Sequence, residues 1–278
     1  MLPPNPHAVA YTEAQKKQIA EQLAEVYRRG EAEILRKLAA GNLSEWSDAF
    51  AKQQLTQVQG LLDELDATTG KWAQMHIPGL YENGARSADS RLPQLGEFSF
   101  TKLHSDAVTL ISENLTQRLG AATQTVGRQA VDAYRTAALK GIQQGLVGGD
   151  TTRQVSKSIL ADLQKQGITS FVTKPDKNGV TREWNLEDYS KMVARTTTAE
   201  AELQGTMNRT LEAGEDLVEV DSHDEPCDLC AEWEGVILSI TGNTEGYDSV
   251  EDAEAAGLFH PNCMHSLLPA VVGAGEEG

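Results

Sequence analysis

The 278-residue chain has only three cysteines, no lysine or arginine in its last quarter and no long apolar run. Because three is an odd number, a closed framework of disulfide bonds is not expected, and metal or redox use explains these cysteines better. The first residues, MLPPNPHAVAYTEAQKK, hold no apolar run of signal-peptide length. No later stretch approaches the roughly 20 apolar residues that span a bilayer. We therefore expect synthesis in a reducing cytoplasm and no membrane contact.

The negative charge is confined to the C-terminal quarter. No Lys or Arg follows Arg209, whereas 17 acidic residues lie between Thr210 and Gly278. The first 209 residues hold 24 acidic and 24 basic residues, so the net charge of −17 belongs entirely to the remainder. An acidic surface repels phosphate and cannot displace counterions from DNA. The C-terminal part is therefore expected to be a solvated acidic surface that does not bind nucleic acid.

Apolar residues at helical spacing dominate the first half of the chain. Thr12 and Gln15 fit a capping box at the start of a first helix, which we expect to end at Gly41. Its apolar face carries Ile19, Leu23, Val26, Tyr27, Ile34 and Leu38. Further helices are predicted from Ser44 to about Tyr81, from about Lys102 to Leu146, and from Asp150 or Thr151 to about Gln166, with a break between Gly84 and Gly96.

The pattern changes near residue 166, where we expect a domain boundary. An apolar run from Ile168, the Asn178-Gly179 pair and the segment from Val180 to Trp184 predict a β-hairpin. A helix from about Leu186 to Leu211 follows and stops at Gly214, and strands are predicted at Leu217–Val220 and Val236–Ile240. The predicted fold is mainly α, with a helical domain at 1–166 and a small C-terminal α+β zinc-binding module at 167–278.

All three cysteines and two of the six histidines lie between Cys227 and His265. Cys227 and Cys230 form a C-x-x-C pair, and His260, Cys263 and His265 occur together in HPNCMH. Zinc prefers a tetrahedral shell of thiolates and imidazoles, which two short ligand pairs supply when a loop brings them together. We predict one structural zinc ion held by Cys227, Cys230, Cys263 and a histidine. His265 is the preferred fourth ligand, and His260 is the alternative.

A redox pair, a metal-free core and a catalytic zinc site each fit the cluster less well. A dithiol redox pair usually begins a helix after a strand, and acidic neighbours raise the pKa of a thiol. A metal-free core accommodates cysteines more readily than two histidines. The run from His223 to Cys230 spells both halves of a zinc-deaminase signature, H-x-E and P-C-x-x-C, but the halves abut without the long spacer that such enzymes need. Glu225, Glu232 and Glu234 are therefore expected to be solvated surface residues rather than catalytic bases.

Three segments of the C-terminal part resemble the minor capsid proteins of tailed bacteriophages, the minor capsid protein 2 group related to protein F of phage Mu. They are DYSKMVARTTTAEAELQGTMNRTLEAGEDLVEV, SHDEPCDLCAEWEGVILSITG and YDSVEDAEAAGLFHPNCMHSLLP. The order of an Ala-Arg-Thr helix, C-x-x-C, Trp-x-Gly and Gly-Leu-Phe-His-Pro-Asn-Cys-x-His-x-Leu-x-Pro carries the resemblance, which covers about Leu186 to Pro269. Many Mu-type relatives look like H-P-N-C-R-C here, whereas this chain has Met264 and His265.

The resemblance implies a structural, non-enzymatic protein of the phage head. Such a protein is present in few copies, associates with the portal vertex, and enters the procapsid as the head assembles in the host cytoplasm. Relatives are also linked to DNA ejection. The implied partners are the portal protein and the major capsid or scaffold protein, without sequence-specific nucleic acid. The chain ends nine residues after Pro269, so no toxin or ADP-ribosyltransferase extension of the kind some relatives carry is expected.

Two further functions fit parts of the sequence. A zinc-dependent hydrolase, deaminase or nuclease would need an open ligand position occupied by water. A zinc-binding adaptor with no virion role would be a soluble monomer that never copurifies with a capsid.

Overall fold

A computed structural model of the protein describes residues 11–39, 48–148, 170–172, 181–222, 226–263 and 265–270. This part is mainly helical with a small sheet near the C-terminus, as predicted. In chain order its elements are α1 (Glu13–Ala39), α2 (Asp48–Asp89), α3 (Lys102–Gly148), β1 (Ser170–Val172), β2 (Glu183–Asn185), α4 (Leu186–Glu212), β3 (Leu217–Val220), β4 (Ile237–Ser239), α5 (Val250–Ala256) and β5 (Leu267–Pro269). Within the described ranges, no helix combines the length and apolar character needed to cross a membrane.

The predicted capping box at the start of α1 is present. The backbone N–H of Thr12 donates to Gln15 Oε1 at 2.8 Å, and the Gln15 N–H donates to Thr12 Oγ1 at 3.3 Å. Helices α3 and α4 also occupy the predicted segments, and α4 is followed by Gly214 at φ 80°. Gly41, Ser44 and the helix predicted from residue 150 to 166 lie outside the described residues.

The predicted break is present but begins after Gly84, because α2 continues to Asp89 and α3 starts at Lys102. Gly84 lies where α4 crosses α2, and a Cβ atom there would come within 2.0 Å of the Glu202 carbonyl oxygen. Gly205 faces the same crossing, where a Cβ would lie 2.1 Å from the Tyr81 carbonyl oxygen. The glycines therefore permit close packing of two helix backbones instead of ending a helix.

The chain divides into two compact units, and each unit is built from segments that are distant in sequence. One unit comprises residues 21–71 and 116–191. In it the buried Tyr27 hydroxyl is hydrogen-bonded to Thr69 Oγ1 at 2.9 Å, and Thr123 Oγ1 donates to Asp66 Oδ1 at 2.9 Å. Its core includes Leu23, Tyr27, Ile34, Val58, Leu62, Leu65, Leu119 and Val126.

The same unit contains the predicted hairpin strands. β1 pairs antiparallel with β2, with Phe171 opposite Trp184. The Asn178-Gly179 turn and the boundary expected at residue 166 both lie outside the described residues. The division into domains at 1–166 and 167–278 therefore stays a prediction.

The second unit comprises residues 1–20, 72–115 and 192–278 and contains the C-terminal sheet. This sheet has the order β4-β3-β5, and both pairings are antiparallel. The Arg209 guanidinium is almost fully buried, donates to Asp89 at 2.6 Å and to Glu212 at 2.7 Å, and lies over the Phe98 ring. These contacts connect the end of α2 and the segment that follows it with α4.

The strand predictions at 217–220 and 236–240 are confirmed, since β3 and β4 occupy them. Helix α5 and strand β5 are not foreseen from the sequence. Ser249 caps α5 by accepting a hydrogen bond from the Asp252 N–H, and Gly257 ends it at φ 128°. Both signals are visible in the sequence, but seven residues are too few for a clear helical period.

Candidate metal centre

The cysteines and histidines between Cys227 and His265 come together beside the three-stranded sheet. Cys227 and Cys230 lie in a tight turn, in which the Cys230 N–H donates to the Cys227 carbonyl at 3.0 Å. His260 and Cys263 lie in a second turn, closed by the Cys263 N–H donating to the His260 carbonyl at 2.8 Å. His265 lies two residues before the start of β5. Each potential ligand is therefore held by a local turn or by the sheet.

The second turn requires unusual backbone geometry. Phe259 and Asn262, which flank His260 and Pro261, have φ angles of 54° and 68°. Asn adopts this left-handed conformation more readily than most residues, but for a bulky side chain such as Phe it is rare and costs free energy. The surrounding packing stabilises it, because Phe259 and Cys263 pack against the same apolar cluster.

Cys230 is the common member of two overlapping ligand groups. Cys227, Cys230 and His260 form one group, and Cys230, Cys263 and His265 form the other, with all ligand atoms of each group within 4.8 Å of one another. The Cys230 and Cys263 sulfurs are 3.6 Å apart, and Cys263 Sγ lies 3.5 Å from His265 Nδ1. The structure thus brings together all five residues that the sequence singled out.

These distances fit the spacing of zinc ligands. Ligands about 2.0–2.3 Å from a tetrahedral ion lie roughly 3.3–3.8 Å from each other. The 3.5 and 3.6 Å separations around Cys263 agree with that range. The 3.0 Å between Cys227 Sγ and His260 Nε2 is shorter and corresponds to a hydrogen bond. Three thiols and two imidazoles supply more than the four ligands that a closed zinc site requires.

The thiols differ in exposure and in acidity. Cys230 is fully buried, and burial, followed by its hydrogen bonds to Cys227 and Cys263, raises the pKa of its thiol to about 12. Cys227 is exposed. Slight burial raises its pKa, but hydrogen bonds from His260 and from the Cys230 backbone outweigh that effect and lower the pKa to about 7. A bound cation would favour the thiolate form of both.

Both histidines have each ring nitrogen engaged. His260 directs Nε2 at Cys227, and its Nδ1 lies 3.0 Å from the Pro261 carbonyl oxygen. His265 directs Nδ1 at Cys263, and its Nε2 lies 3.2 Å from Glu234 Oε1. A metal-binding histidine commonly uses one nitrogen for the ion and donates the other N–H to a carbonyl or carboxylate. The geometry therefore suits either histidine as a ligand.

The sequence pattern does not reveal the contact of Glu234 with the metal centre. It predicts a solvated surface residue at this position. Its carboxylate contacts the buried His265, and only 19% of its side chain is exposed. The sequence signal that could have marked it is its place in the Trp-x-Gly motif, directly before Gly235. The H-x-E half of the deaminase-like signature, His223 and Glu225, lies outside the described residues.

A cavity of about 270 Å³ with several charged side chains in its wall lies next to His265 in the same unit. Its wall includes Lys16, Arg195, Glu202 and Asp221. Lys16 is paired with Glu202 at 2.5 Å, and Asp221 accepts hydrogen bonds from the Ser266 N–H and hydroxyl at 2.7 Å. Thr196 and Thr198, on the helix that forms part of this wall, donate to carbonyls of their own helix.

Together, the fold and site define a mainly helical protein with a small C-terminal module in which cysteines and histidines could hold a metal ion. The chain belongs to the phage minor capsid protein 2 family, whose sequence profile matches residues 12–277. The expected family is therefore confirmed, and the match extends well beyond the Leu186–Pro269 segment into the N-terminal helices. No curated protein and no solved structure matches the chain. Membership supports a structural role in the phage capsid, location in the virion, and other virion proteins as partners.

Proposed function

We propose that this protein is a minor head component that associates with the portal vertex and is incorporated during head assembly in the host cytoplasm. The observation that carries the proposal is the family match over residues 12–277. We further propose that it acts without catalysing a reaction and that one zinc ion stabilises its C-terminal module. A role in DNA ejection follows if the protein leaves the head with the genome.

The portal contact is assigned to the N-terminal helices. Met75, Leu103 and Leu110 are 72%, 50% and 58% exposed, so a partner that covered them would remove apolar surface from water. The last quarter of the chain offers mainly negative charge. Apolar contact with a partner favours the helical surface, whereas a cation-free acidic surface is better suited to remaining in solvent.

The portal contact is tested with the full-length chain. Because α4 packs closely on α2, a cut at residue 166 would separate two helices that share a core. We therefore propose the double variant Leu103→Ser and Leu110→Ser, with the exposed Leu229→Ser as matched control. Pull-down of portal protein should be lost with the double variant and retained with the control. Loss with Leu229→Ser alone would assign the contact to the metal module instead.

The virion role is tested by mass spectrometry of purified particles before and after DNA release. The protein should be present at few copies per particle, and its loss on release would support a role in ejection. Its absence from particles would overturn the proposal and favour an adaptor without a virion role.

The metal centre is proposed as Cys227, Cys230, Cys263 and His265, with His260 as the competing fourth ligand. Since five donor side chains are available, the protein can close a four-coordinate shell without water. A closed shell favours a structural ion over a zinc-dependent hydrolase or nuclease. Measurement of bound zinc in the purified protein tests this directly, and spectroscopy of a cobalt-substituted sample would reveal any water ligand.

A further inference from the structure

The contact between Glu234 and His265 joins two side chains that are largely shielded from water. The His265 side chain is 4% exposed, and its Nε2 lies 3.2 Å from Glu234 Oε1. A carboxylate accepts the imidazole N–H most strongly when both groups are partly desolvated. The other ring nitrogen, Nδ1, lies 3.5 Å from Cys263 Sγ.

The backbone holds Glu234 at the end of β3. The Gly235 N–H donates to the Val220 carbonyl at 2.9 Å, and the Val220 N–H donates to the Val236 carbonyl at 3.0 Å. Gly235 has φ 74°, a conformation that a glycine adopts without strain. Glu234 is therefore fixed by hydrogen bonds on the residues directly after it.

The backbone also fixes His265, through the residue that follows it. Ser266 is hydrogen-bonded to Asp221, the residue directly after β3. The Asp221 N–H donates to the Ser266 carbonyl at 3.1 Å, and the Asp221 carboxylate accepts both the Ser266 N–H and its hydroxyl. The residues that follow Glu234 and His265 are thus hydrogen-bonded to the consecutive residues Val220 and Asp221. Their contact is a consequence of the sheet, although 31 positions separate them in sequence.

From this geometry we propose that Glu234 is the positioning residue of the metal centre. Its carboxylate accepts the Nε2–H of His265, which holds the imidazole in the tautomer whose Nδ1 lone pair faces Cys263 and the ion. The corresponding hydrogen bond of His260 is weaker, because its Nδ1 faces the carbonyl of the adjacent Pro261 in a partly exposed turn. The inference rests on the proposed zinc centre and identifies the residue that decides which histidine completes it.

The test is a double-mutant cycle on the full-length protein, with zinc affinity measured by chelator competition. Glu234→Gln should weaken zinc binding by about tenfold or more, because a neutral amide oxygen accepts the imidazole N–H less strongly than a carboxylate. Glu232→Gln is the matched control, because Glu232 is an exposed carboxylate two residues away. It should leave the affinity unchanged.

The second arm replaces the ligand itself. His265→Cys supplies a thiolate, which has no second ring nitrogen to be oriented, so Glu234→Gln should change the zinc affinity of this variant less than about twofold. An equal loss in the unsubstituted protein and in the His265→Cys variant would mean that Glu234 merely supports the local fold, and it would overturn the inference. An unchanged affinity on Glu234→Gln alone would also overturn it.

Failure of the zinc centre itself gives a different result. If the unsubstituted protein binds no zinc, both proposals fall. If it binds zinc and loses it on His260→Ala but not on His265→Ala, the zinc centre stands and the role of Glu234 is overturned.

Discussion

At the residue scale, His260 and His265 are the two candidates for the fourth ligand of the proposed metal centre, and they differ in exposure. His265 is 5% exposed and bound to a carboxylate, whereas His260 is partly exposed and bound to a carbonyl. A buried and oriented imidazole loses less conformational entropy on binding a metal than an exposed one. We therefore retain His265 as the proposed fourth ligand.

The prediction is that His265→Ala loses zinc and metal-dependent stability to the same extent as Cys263→Ala. His260→Ala should keep its zinc, with an affinity weakened by no more than about 10- to 100-fold. Zinc content and melting temperature of the three variants provide the measurement. If His260→Ala behaves like Cys263→Ala while His265→Ala stays loaded, the ligand pair is H-x-x-C.

Asp216 connects β3 to the loop after β4. Its carboxylate accepts hydrogen bonds from Ser239 Oγ at 2.5 Å, Thr244 Oγ1 at 2.6 Å and the Thr241 N–H at 2.9 Å. Partial burial raises the pKa of Asp216, but these hydrogen bonds outweigh that effect and lower the pKa below its ordinary value. A carboxyl group with a lowered pKa stabilises the fold above its unfolded pKa of about 3.9, and this contribution is lost as the pH falls through the folded pKa.

Asp216→Asn should therefore lower the free energy of unfolding by about 1–3 kcal/mol at neutral pH. The difference from the unsubstituted protein should shrink below about pH 4, where the carboxylate becomes protonated. Urea denaturation between pH 7 and pH 3 measures it, with the exposed Glu245→Gln as control. A difference that is constant over this pH range would contradict the assigned role.

At the element scale, the crossing of α2 and α4 determines how the unit of residues 1–20, 72–115 and 192–278 is built. Thr206 Oγ1 donates to the Gly84 carbonyl at 3.0 Å, and Asn208 donates to the Tyr81 hydroxyl at 2.7 Å. The hydrogen bonds and the missing Cβ atoms act together, because the helices approach closely enough for side chains of one to reach the backbone of the other.

Gly84→Ala and Gly205→Ala are each expected to destabilise the protein by about 1–3 kcal/mol or more, since the new methyl group would overlap backbone atoms. Gly60 is the matched control, because it lies in α2 with no atom near the site of a new Cβ. Gly60→Ala should stabilise by roughly 0.5–1 kcal/mol through helix propensity. Thermal denaturation of the three variants measures the contrast, and similar effects at all three positions would be inconsistent with close packing.

At the scale of the whole molecule, the charge distribution argues against binding of duplex DNA. The first 209 residues are neutral, and the remainder has no Lys or Arg. Several N-terminal cations are already paired on the helix surface, as in the contacts of Arg28 and Arg29 with Glu25. Because the cations of the first 209 residues are matched by an equal number of acidic residues, we expect little net release of counterions from a phosphate backbone.

We predict no appreciable affinity for duplex DNA at physiological salt. Fluorescence anisotropy with a labelled duplex over a range of salt concentrations measures this. Micromolar or tighter binding that weakens steeply with salt would show that the basic residues form one continuous face.

The sequence by itself determined most of the described helices, the candidate ligands and the family. Helical periodicity and a capping box such as that of Thr12 and Gln15 are local, and the short spacings of the cysteines and histidines are typical of metal ligands. Only the tertiary structure decided that Gly84 lies inside a helix and that Glu234 meets His265. The physical reason is that each of these depends on a partner distant in sequence, 122 positions away for the Gly84–Thr206 contact and 31 for the Glu234–His265 contact. Folding brings such pairs together through packing and strand register, which no local pattern encodes.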